Sequence, residues 1–247
     1  ITATQGALGL NRGDVCYILD NVAINGAVNL AGLNGGNITL AVNGAVNGKI
    51  SDFGSLAGGD KILIGATGSV FGLAANDAIA LNGGSNSVVN AGTIIGATNC
   101  ISFNSQVGAG LAFNERVVNS GTIQAGSGDA IEMLGTAGLV VKNTGTIIGD
   151  IVAQPAGNAI TNSGQITGNI VFGAGADTII NSGAINGDVT LGEGSNRLDS
   201  RLGTIAGKIT AGAGGNAILT GLGDDTITSG AGNDTINGGA GADSMSA

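Results

Sequence analysis

Three nine-residue units in the same phase occupy residues 220–246 and decide the fold of this chain. They are TGLGDDTIT (220–228), SGAGNDTIN (229–237) and GGAGADSMS (238–246). Each follows the pattern small-Gly-x-Gly-x-Asp-x-apolar-x, which places aspartates at Asp225, Asp234 and Asp243. Repeats of this form predict a parallel β-roll, in which glycine-rich turns stack from one coil to the next.

A longer repeat precedes these units. Glycines of NSG-type segments recur at intervals of 19, 19 and 20 residues, at Gly145, Gly164, Gly183 and Gly203. Between them lie the related units FGAGADTII (172–180), LGEGSNRLD (191–199) and AGAGGNAIL (211–219). The aspartate is kept at Asp177 and replaced by Asn196 and Asn216. A period of about 19 residues fits one coil of a parallel β-solenoid, in which equivalent residues stack about 4.8 Å apart.

Stacking in this register gives columns that make physical sense. Two apolar columns are predicted to point inward, Ile147–Ile166–Ile185–Ile205 and Ile151–Ile170–Val189–Ile209. Their β-branched side chains suit a pleated, buried surface. A third column, Asn143–Asn162–Asn181, is predicted to form a ladder of side-chain amides.

Composition supports a solenoid rather than an ordinary globule. Of 247 residues 49 are Gly, 43% are hydrophobic and only 2% are aromatic, which is too apolar for a disordered linker. We therefore predict an all-β chain: a single right-handed parallel β-solenoid of about a dozen coils that passes into a β-roll. Residues 1–60 are expected to form an N-terminal cap and the first coils, 61–219 the solenoid, and 220–247 the roll, as one continuous domain.

The net charge of the chain limits the kinds of partner that it can bind. The net charge of −9 and the eight scattered Lys and Arg residues disfavour nucleic acid, whose phosphates need cationic side chains. No apolar run reaches membrane-spanning length, so no membrane insertion is expected. Cys16 and Cys100 lack a metal-ligand or catalytic spacing, and the sequence leaves open whether they are bridged.

The closing units resemble the repeats of the RTX family of secreted calcium-binding proteins, whose pattern is Gly-Gly-x-Gly-x-Asp-x-apolar-x. Thr220 and Ser229 replace the first glycine of two units. The resemblance implies Ca²⁺ as cofactor, held between same-side turns two units apart. Carboxylates and backbone carbonyls supply the six to eight oxygen ligands that this ion takes.

Carried over to this chain, the resemblance pairs the turn Gly221–Asp225 with Gly239–Asp243. Asp234 stacks on the turn of Asn216, so that site has one carboxylate and is expected to be weaker or empty. The alternative is that each aspartate only caps its own turn through hydrogen bonds to the backbone. The predicted metal ligands are Asp225, Asp243, Asp234, Gly221, Gly223, Gly230, Gly232, Gly239, Gly241 and Asp177.

The 19-residue repeat is similar to those of bacterial autotransporter passenger domains and surface adhesins. This resemblance implies a non-catalytic, secreted protein of the bacterial cell surface, which we expect to self-assemble end to end or laterally into a filament, matrix or layer, or to mediate adhesion. One alternative is a spacer or secretion segment of a larger RTX adhesin or exoenzyme. Another is a polysaccharide-active β-helix enzyme.

Catalytic residues are not evident, and no enzyme activity is expected. The chain has no histidine, which excludes the zinc-protease motif. Two polar clusters, residues 114–116 with Glu115 and Arg116 and residues 197–201 with Arg197 and Arg201, are predicted to be exposed salt-bridged loops.

Overall fold

A computed structural model describes residues 8–30, 37–52, 59–73, 76–104, 114–154 and 156–247 of the chain. In these ranges all the regular secondary structure is β-strand, and the strands pair in parallel to form three sheets. The predicted all-β parallel solenoid is confirmed. No helix in the described ranges is long and apolar enough to cross a membrane.

The three sheets run along the stack, and each takes one strand from each three-sided coil. Sheet A comprises β1 (Leu8–Gly9), β4 (Val28–Asn29), β7 (Ile50–Ser51), β10 (Ile79–Asn82), β13 (Ile101–Asn104), β16 (Ile131–Met133), β19 (Ile151–Ala153), β22 (Ile170–Phe172), β25 (Val189–Thr190), β28 (Ile209–Thr210), β30 (Thr226–Thr228) and β32 (Ser244–Ser246). Sheet B comprises β2 (Val15–Ile18), β5 (Thr39–Val42), β8 (Lys61–Ile64), β11 (Ser87–Asn90), β14 (Asn114–Asn119), β17 (Gly138–Asn143), β20 (Ala159–Asn162), β23 (Thr178–Asn181), β26 (Arg197–Asp199), β29 (Ala217–Leu219) and β31 (Thr235–Asn237). Sheet C comprises β3 (Ala23–Ile24), β6 (Ala45–Asn47), β9 (Ser69–Phe71), β12 (Thr93–Ile95), β15 (Thr122–Gln124), β18 (Thr146–Ile148), β21 (Gln165–Thr167), β24 (Ala184–Asn186) and β27 (Thr204–Ile205).

Each three-sided coil passes from sheet B through sheet C to sheet A, as β17, β18 and β19 do. The predicted apolar columns are confirmed by the register, because Ile147 pairs with Ile166 and Ile166 with Ile185. All three side chains are fully buried. Alternate residues along each strand therefore fill the interior, which suits the two-residue period of a β-strand.

The coil changes shape after β28. Sheet C ends at β27, and the chain then alternates only between sheet B and sheet A through β29, β30, β31 and β32. A glycine-rich turn, Thr220–Asp225, takes the place of the third strand. The stack thus passes from three-sided coils to two-sided coils, and Ile205 at the end of sheet C is only partly buried.

The predicted asparagine ladder is present and is longer than the sequence suggested. The Nδ2 of Asn143 donates to Oδ1 of Asn162 at 2.8 Å, and Asn162 donates in the same way to Asn181 at 2.8 Å. The same bond extends the ladder to Asn90 and Asn119. It ends where Asn181 donates to the hydroxyl of Ser200.

Two expectations about polar residues are corrected or settled by the structure. The prediction of an exposed loop at residues 114–116 is wrong, because these residues start β14 and Glu115 is fully buried. The second cluster is salt-bridged as predicted, with Asp199 bound to Arg197 and Arg201, but residues 197–199 form β26 and not a loop. Cys16 and Cys100 are buried free thiols.

The cap predicted within residues 1–60 falls partly on residues 1–7, 31–36 and 53–58, which lie outside the described ranges.

Candidate metal centre

A column of side chains at the entry to the strands of sheet B runs along the solenoid, and we call it the entry column. The side chain of each polar member accepts a hydrogen bond from the backbone N–H of the equivalent residue one coil earlier, at 2.7–3.2 Å. Its members are Ile38, Asp60, Asn86, Glu115, Leu139, Asn158, Asp177, Asn196, Asn216 and Asp234. The entry column therefore begins long before the nine-residue units, and aspartates of those units such as Asp177 and Asp234 are its later members.

Asp60 and Glu115 are members that sequence reasoning missed. Asp60 is 1% exposed, and its Oδ2 has no hydrogen-bond partner. Burial raises the pKa of the Asp60 carboxyl to about 6, against a lowering by the N–H of Ile38, and the charge of Asp52 raises it further. The entry column therefore holds a buried acid well before the closing repeats.

The turns Gly221–Asp225 and Gly239–Asp243 stack directly on each other. Leu222 bridges to Ala240, and the N–H of Gly223 donates to the carbonyl of Ala240 at 3.0 Å. The N–H of Asp225 donates to Oδ1 of Asp243 at 3.0 Å. This is the pairing predicted from the two-unit spacing, and it brings two aspartates of adjacent coils together.

Negative charge is concentrated in this stacked pair. Burial is the main cause that raises the pKa of Asp225; the hydroxyl of Thr220 lowers it, and the charges of Asp243 and Asp224 raise it further. Asp225 is only 6% exposed, and its Oδ2 is buried without a hydrogen-bond partner. A buried oxygen without a donor, close to two further carboxylates, favours a bound cation.

The glycines of these turns have a conformational role. Gly223 and Gly241, the second glycine of each unit, have φ of +116° and +147°, a region that residues with a Cβ rarely adopt. A Cβ on Gly239 would lie 2.0 Å from the carbonyl oxygen of Gly221 in the coil below. Glycine therefore lets the turns stack closely, with backbone carbonyls available between them.

Asp234 stacks on the turn of Asn216, as the sequence predicted. Its Oδ1 accepts from the N–H of Asn216 at 2.8 Å and from Nδ2 of the same residue at 3.0 Å. The N–H of Asn216, and next to it the hydroxyl of Ser229, lower the pKa of the Asp234 carboxyl. Gly230 and Gly232 stack over Gly212 and Gly214. This pair of turns contains one carboxylate.

Asp177 is not brought together with a second aspartate of the entry column. Its neighbours there are Asn158, which donates to Asp177 Oδ1 at 2.7 Å and 2.9 Å, and Asn196, which accepts from the Asp177 N–H at 3.0 Å. Burial raises the pKa of Asp177, and its Oδ2 lacks a partner. The predicted calcium ligation by Asp177 stays a prediction.

The donor set of the Asp225–Asp243 pair fits calcium. It consists of carboxylates and glycine carbonyls, and oxygen ligands of this kind suit a hard divalent cation. Among the described residues no group of three or more His, Cys, Asp or Glu side chains is arranged to hold a metal ion. Backbone carbonyls of the two turns, such as those of Gly221 and Gly239, would have to supply the remaining oxygen ligands of a bound calcium ion.

Comparison with known families agrees with this geometry. Residues 210–245 match the family of the RTX calcium-binding nonapeptide repeat, in four copies. The matched range begins before Thr220, so it includes the unit that carries Asn216 as well as the closing units. No curated protein and no solved structure matches the chain. Residues 210–245 are thus RTX calcium-binding nonapeptide repeats, carried on a parallel β-solenoid.

Proposed function

We propose that this chain is a non-catalytic, secreted extracellular protein with a structural or adhesive role, in which calcium stabilises the two-sided coils. The observation that carries the proposal is the stacking of Asp225 on Asp243, with a buried Asp225 oxygen that has no hydrogen-bond partner. RTX repeat proteins are typically secreted, which supports an extracellular location. A location at the bacterial cell surface is part of the proposal, as expected from the pattern of the 19-residue repeat.

The mechanism is calcium-linked folding. Without the ion, the carboxylates of Asp224, Asp225 and Asp243 repel one another, and the glycine-rich coils lose much conformational entropy when they order. Calcium binds the folded turns and neutralises the carboxylates. Because each coil contacts mainly its neighbours, the ordered solenoid then serves as a template for the two-sided coils.

Calorimetric titration and circular dichroism test this mechanism. Wild-type protein is expected to bind calcium and to melt at a higher temperature in calcium than in a chelator, because ligands of the folded state stabilise it. Asp225→Asn is expected to bind fewer ions, since it removes one carboxylate of the pair. Unchanged β-sheet content and melting temperature in the chelator would falsify the calcium mechanism.

Self-assembly forms part of the proposal and rests on an exposed sheet edge. β27 is the last strand of sheet C, and no strand of residues 206–247 pairs with its outer edge. Leu202, just before β27, is 85% exposed, and Leu222 is 77% exposed. Exposed edges and apolar side chains favour pairing with another chain. Electron microscopy of calcium-loaded protein at high concentration is expected to show filaments or layers, and only monomeric particles would contradict assembly.

The non-catalytic part of the proposal is supported by the polar cluster around Asp199. Asp199 lies in a groove with Arg201 and Leu202, and hydrogen bonds from Arg201 lower its pKa to about 2. An acid held ionised in this way does not donate protons near neutral pH. Incubation with acidic and neutral polysaccharides is expected to release no products, and cleavage of any of them would overturn this part.

A further inference from the structure

We infer that the residue at the aspartate position of each nonapeptide turn decides whether the turn needs calcium, because the asparagine side-chain amide occupies the place of the ion. This inference rests on the proposed calcium role of the Asp225–Asp243 pair. It assigns Asn196 and Asn216 a specific task. Their amides act as a built-in substitute for the cation.

Asparagine turns and aspartate turns have the same backbone construction. In four of these turns, the N–H of the second glycine donates to the carbonyl of a residue in the next coil at 2.8–3.0 Å, and that glycine has a φ between +113° and +150°. These donors are Gly175 to Glu193, Gly194 to Ala213, Gly214 to Ala231 and Gly223 to Ala240. The side chain at the aspartate position is therefore presented to similar surroundings in these four turns.

In both asparagine turns, Nδ2 lies near two turn carbonyls and a side-chain oxygen of the next coil, and at Asn216 it also lies 3.4 Å from the Ser229 hydroxyl. Asn216 donates to the carbonyls of Gly212 at 3.0 Å and Gly214 at 3.2 Å, and to Oδ1 of Asp234 at 3.0 Å. Asn196 repeats this arrangement with the carbonyls two and four residues before it and with Oδ1 of Asn216. Two turn carbonyls and a side-chain oxygen of the adjacent turn are the kinds of atom that ligate calcium in this repeat.

In the aspartate turns, a carboxylate oxygen replaces this amide and cannot donate. The Oδ2 atoms of Asp177, Asp225 and Asp234 are buried and have no hydrogen-bond partner. An oxygen in a place otherwise surrounded by oxygens needs a positive charge, whereas an amide supplies its own donors. An asparagine therefore removes the need for calcium, and its Nδ2 also occupies the position that the ion would take.

Calcium dependence follows the distribution of the two residue types. In the last five coils that carry it, the entry column consists of Asn158, Asp177, Asn196, Asn216 and Asp234 in that order, so no two aspartates stack there. Asp225 and Asp243 stack on the opposite side, at the entry to sheet A. Among the described nonapeptide turns, the stack of two carboxylates with no amide between them is therefore on this side of the two-sided coils, where we expect calcium to bind.

Calcium titration and thermal unfolding of the full chain test the inference with the variant Asn216→Asp. This variant stacks a second pair of carboxylates and removes the amide, so we expect one more calcium ion bound per chain than in the wild type. Its melting temperature is expected to fall by about 5 °C in a chelator and to recover in calcium. Asn162→Asp is the matched control from the asparagine ladder, and it is expected to melt lower in both conditions with no added ion.

Asp234→Asn tests the inference in the other direction and does not depend on the folding of the first variant. It is expected to keep the wild-type number of calcium ions and to melt no lower than the wild type in a chelator. Loss of an ion in this variant overturns the inference, as does an Asn216→Asp protein that folds in calcium and binds no more of it than the wild type. A wild-type protein that binds no calcium refutes the proposed function instead.

Discussion

The three-sided coils and the two-sided coils share the same glycine-rich turn, yet their interiors differ. Ile147, Ile166 and Ile185 of the three-sided part are fully buried. A two-sided coil has strands in two sheets only, so the inward-facing isoleucines Ile218 and Ile227 are buried between sheet B and sheet A with no third strand beside them. The third sheet supplies apolar surface that two sheets lack, and burial of such surface is a main source of stability.

This difference explains why aspartates are stacked where sheet C is absent. The three-sided coils combine a closed apolar interior with a ladder of buried amides, and neither feature needs an ion. The two-sided coils have a thinner interior and neighbouring carboxylates in their turns. Their stability is therefore expected to depend on solution conditions more than that of the coils before Thr210.

The largest predicted effect compares two glycines near the change in coil shape. Gly214 has φ +130° and a Cβ there would lie 2.2 Å from the Gly194 carbonyl oxygen, whereas a Cβ on Gly223, with φ +116°, would meet nothing within 4 Å. Gly214→Ala is expected to lower the free energy of unfolding by about 4 kcal/mol and Gly223→Ala by about 2 kcal/mol. Urea unfolding in calcium measures both, and equal losses would show that the coil below does not crowd the turn.

A buried acid of the three-sided part predicts a dependence on pH. Folding raises the pKa of Asp60 from 3.8 to about 6, so folding favours the protonated carboxyl. This stabilisation is fully present below about pH 4 and is lost as pH rises through 6, a change of about 3 kcal/mol. Unfolding at a series of pH values should show it.

Measurements with and without calcium distinguish the effect of Asp60 from the effects of the aspartates in the two-sided part. Asp60→Asn is expected to remove most of the loss between pH 4 and pH 7, and the effect of Asp60 should be the same in calcium and in a chelator. A wild-type stability that rises with pH through this range in the chelator would contradict the assignment to Asp60.

The asparagine ladder predicts a loss of intermediate size that is independent of calcium. Asn162→Ala removes a donor to Asn181 and an acceptor for Asn143, which leaves buried polar atoms without partners. The expected loss is about 2 kcal/mol. Asn169→Ala, at a partly exposed position, is expected to cost less than about 1 kcal/mol. Thermal unfolding in calcium and in a chelator compares them, and a calcium-dependent loss for Asn162→Ala would place the ladder in the ion-binding machinery.

The smallest predicted effect is a gain. Asp177→Asn keeps Oδ1, which accepts from Asn158, and replaces the unpartnered Oδ2 with an amide like that of Asn196. We expect the free energy of unfolding at pH 7 to rise by about 1 kcal/mol. Chemical unfolding measures this change, and a destabilised variant would show that the Asp177 carboxylate has a partner in solution, such as calcium.

The stacking register of the repeated coils could be predicted, because the spacing of glycines and aspartates in the sequence determines which residues lie above one another. Glycines 19 residues apart fixed the register of the isoleucine columns, and two nine-residue units per coil placed Asp225 beside Asp243. The end of sheet C was not predicted, since short strands on either side of a glycine-rich turn look alike whether the coil has two or three sides. Only the pairing of β29 with β31 and of β28 with β30 reveals the change.

Asp60 and Glu115 were missed for a different reason. Coils in the first half vary in length, so that Asp60 and Asn86 are 26 residues apart and Asn86 and Glu115 are 29 apart. Insertions of this kind hide a column from any search for a fixed period. The signal that was available is an acidic residue just before or within an alternating apolar strand, as in GDKILI (59–64).

The asparagine ladder has an electrical consequence. From Asn90 to Asn181 every side-chain amide donates toward the C-terminal neighbour, so the amide dipoles are aligned head to tail along the solenoid axis. Bonds in such a chain polarise one another and strengthen cooperatively, by about 10–30% per bond. An amide in the middle of the row, such as Asn143, is therefore held more firmly than Asn90 at its end, and the solenoid has two electrically different directions along its length.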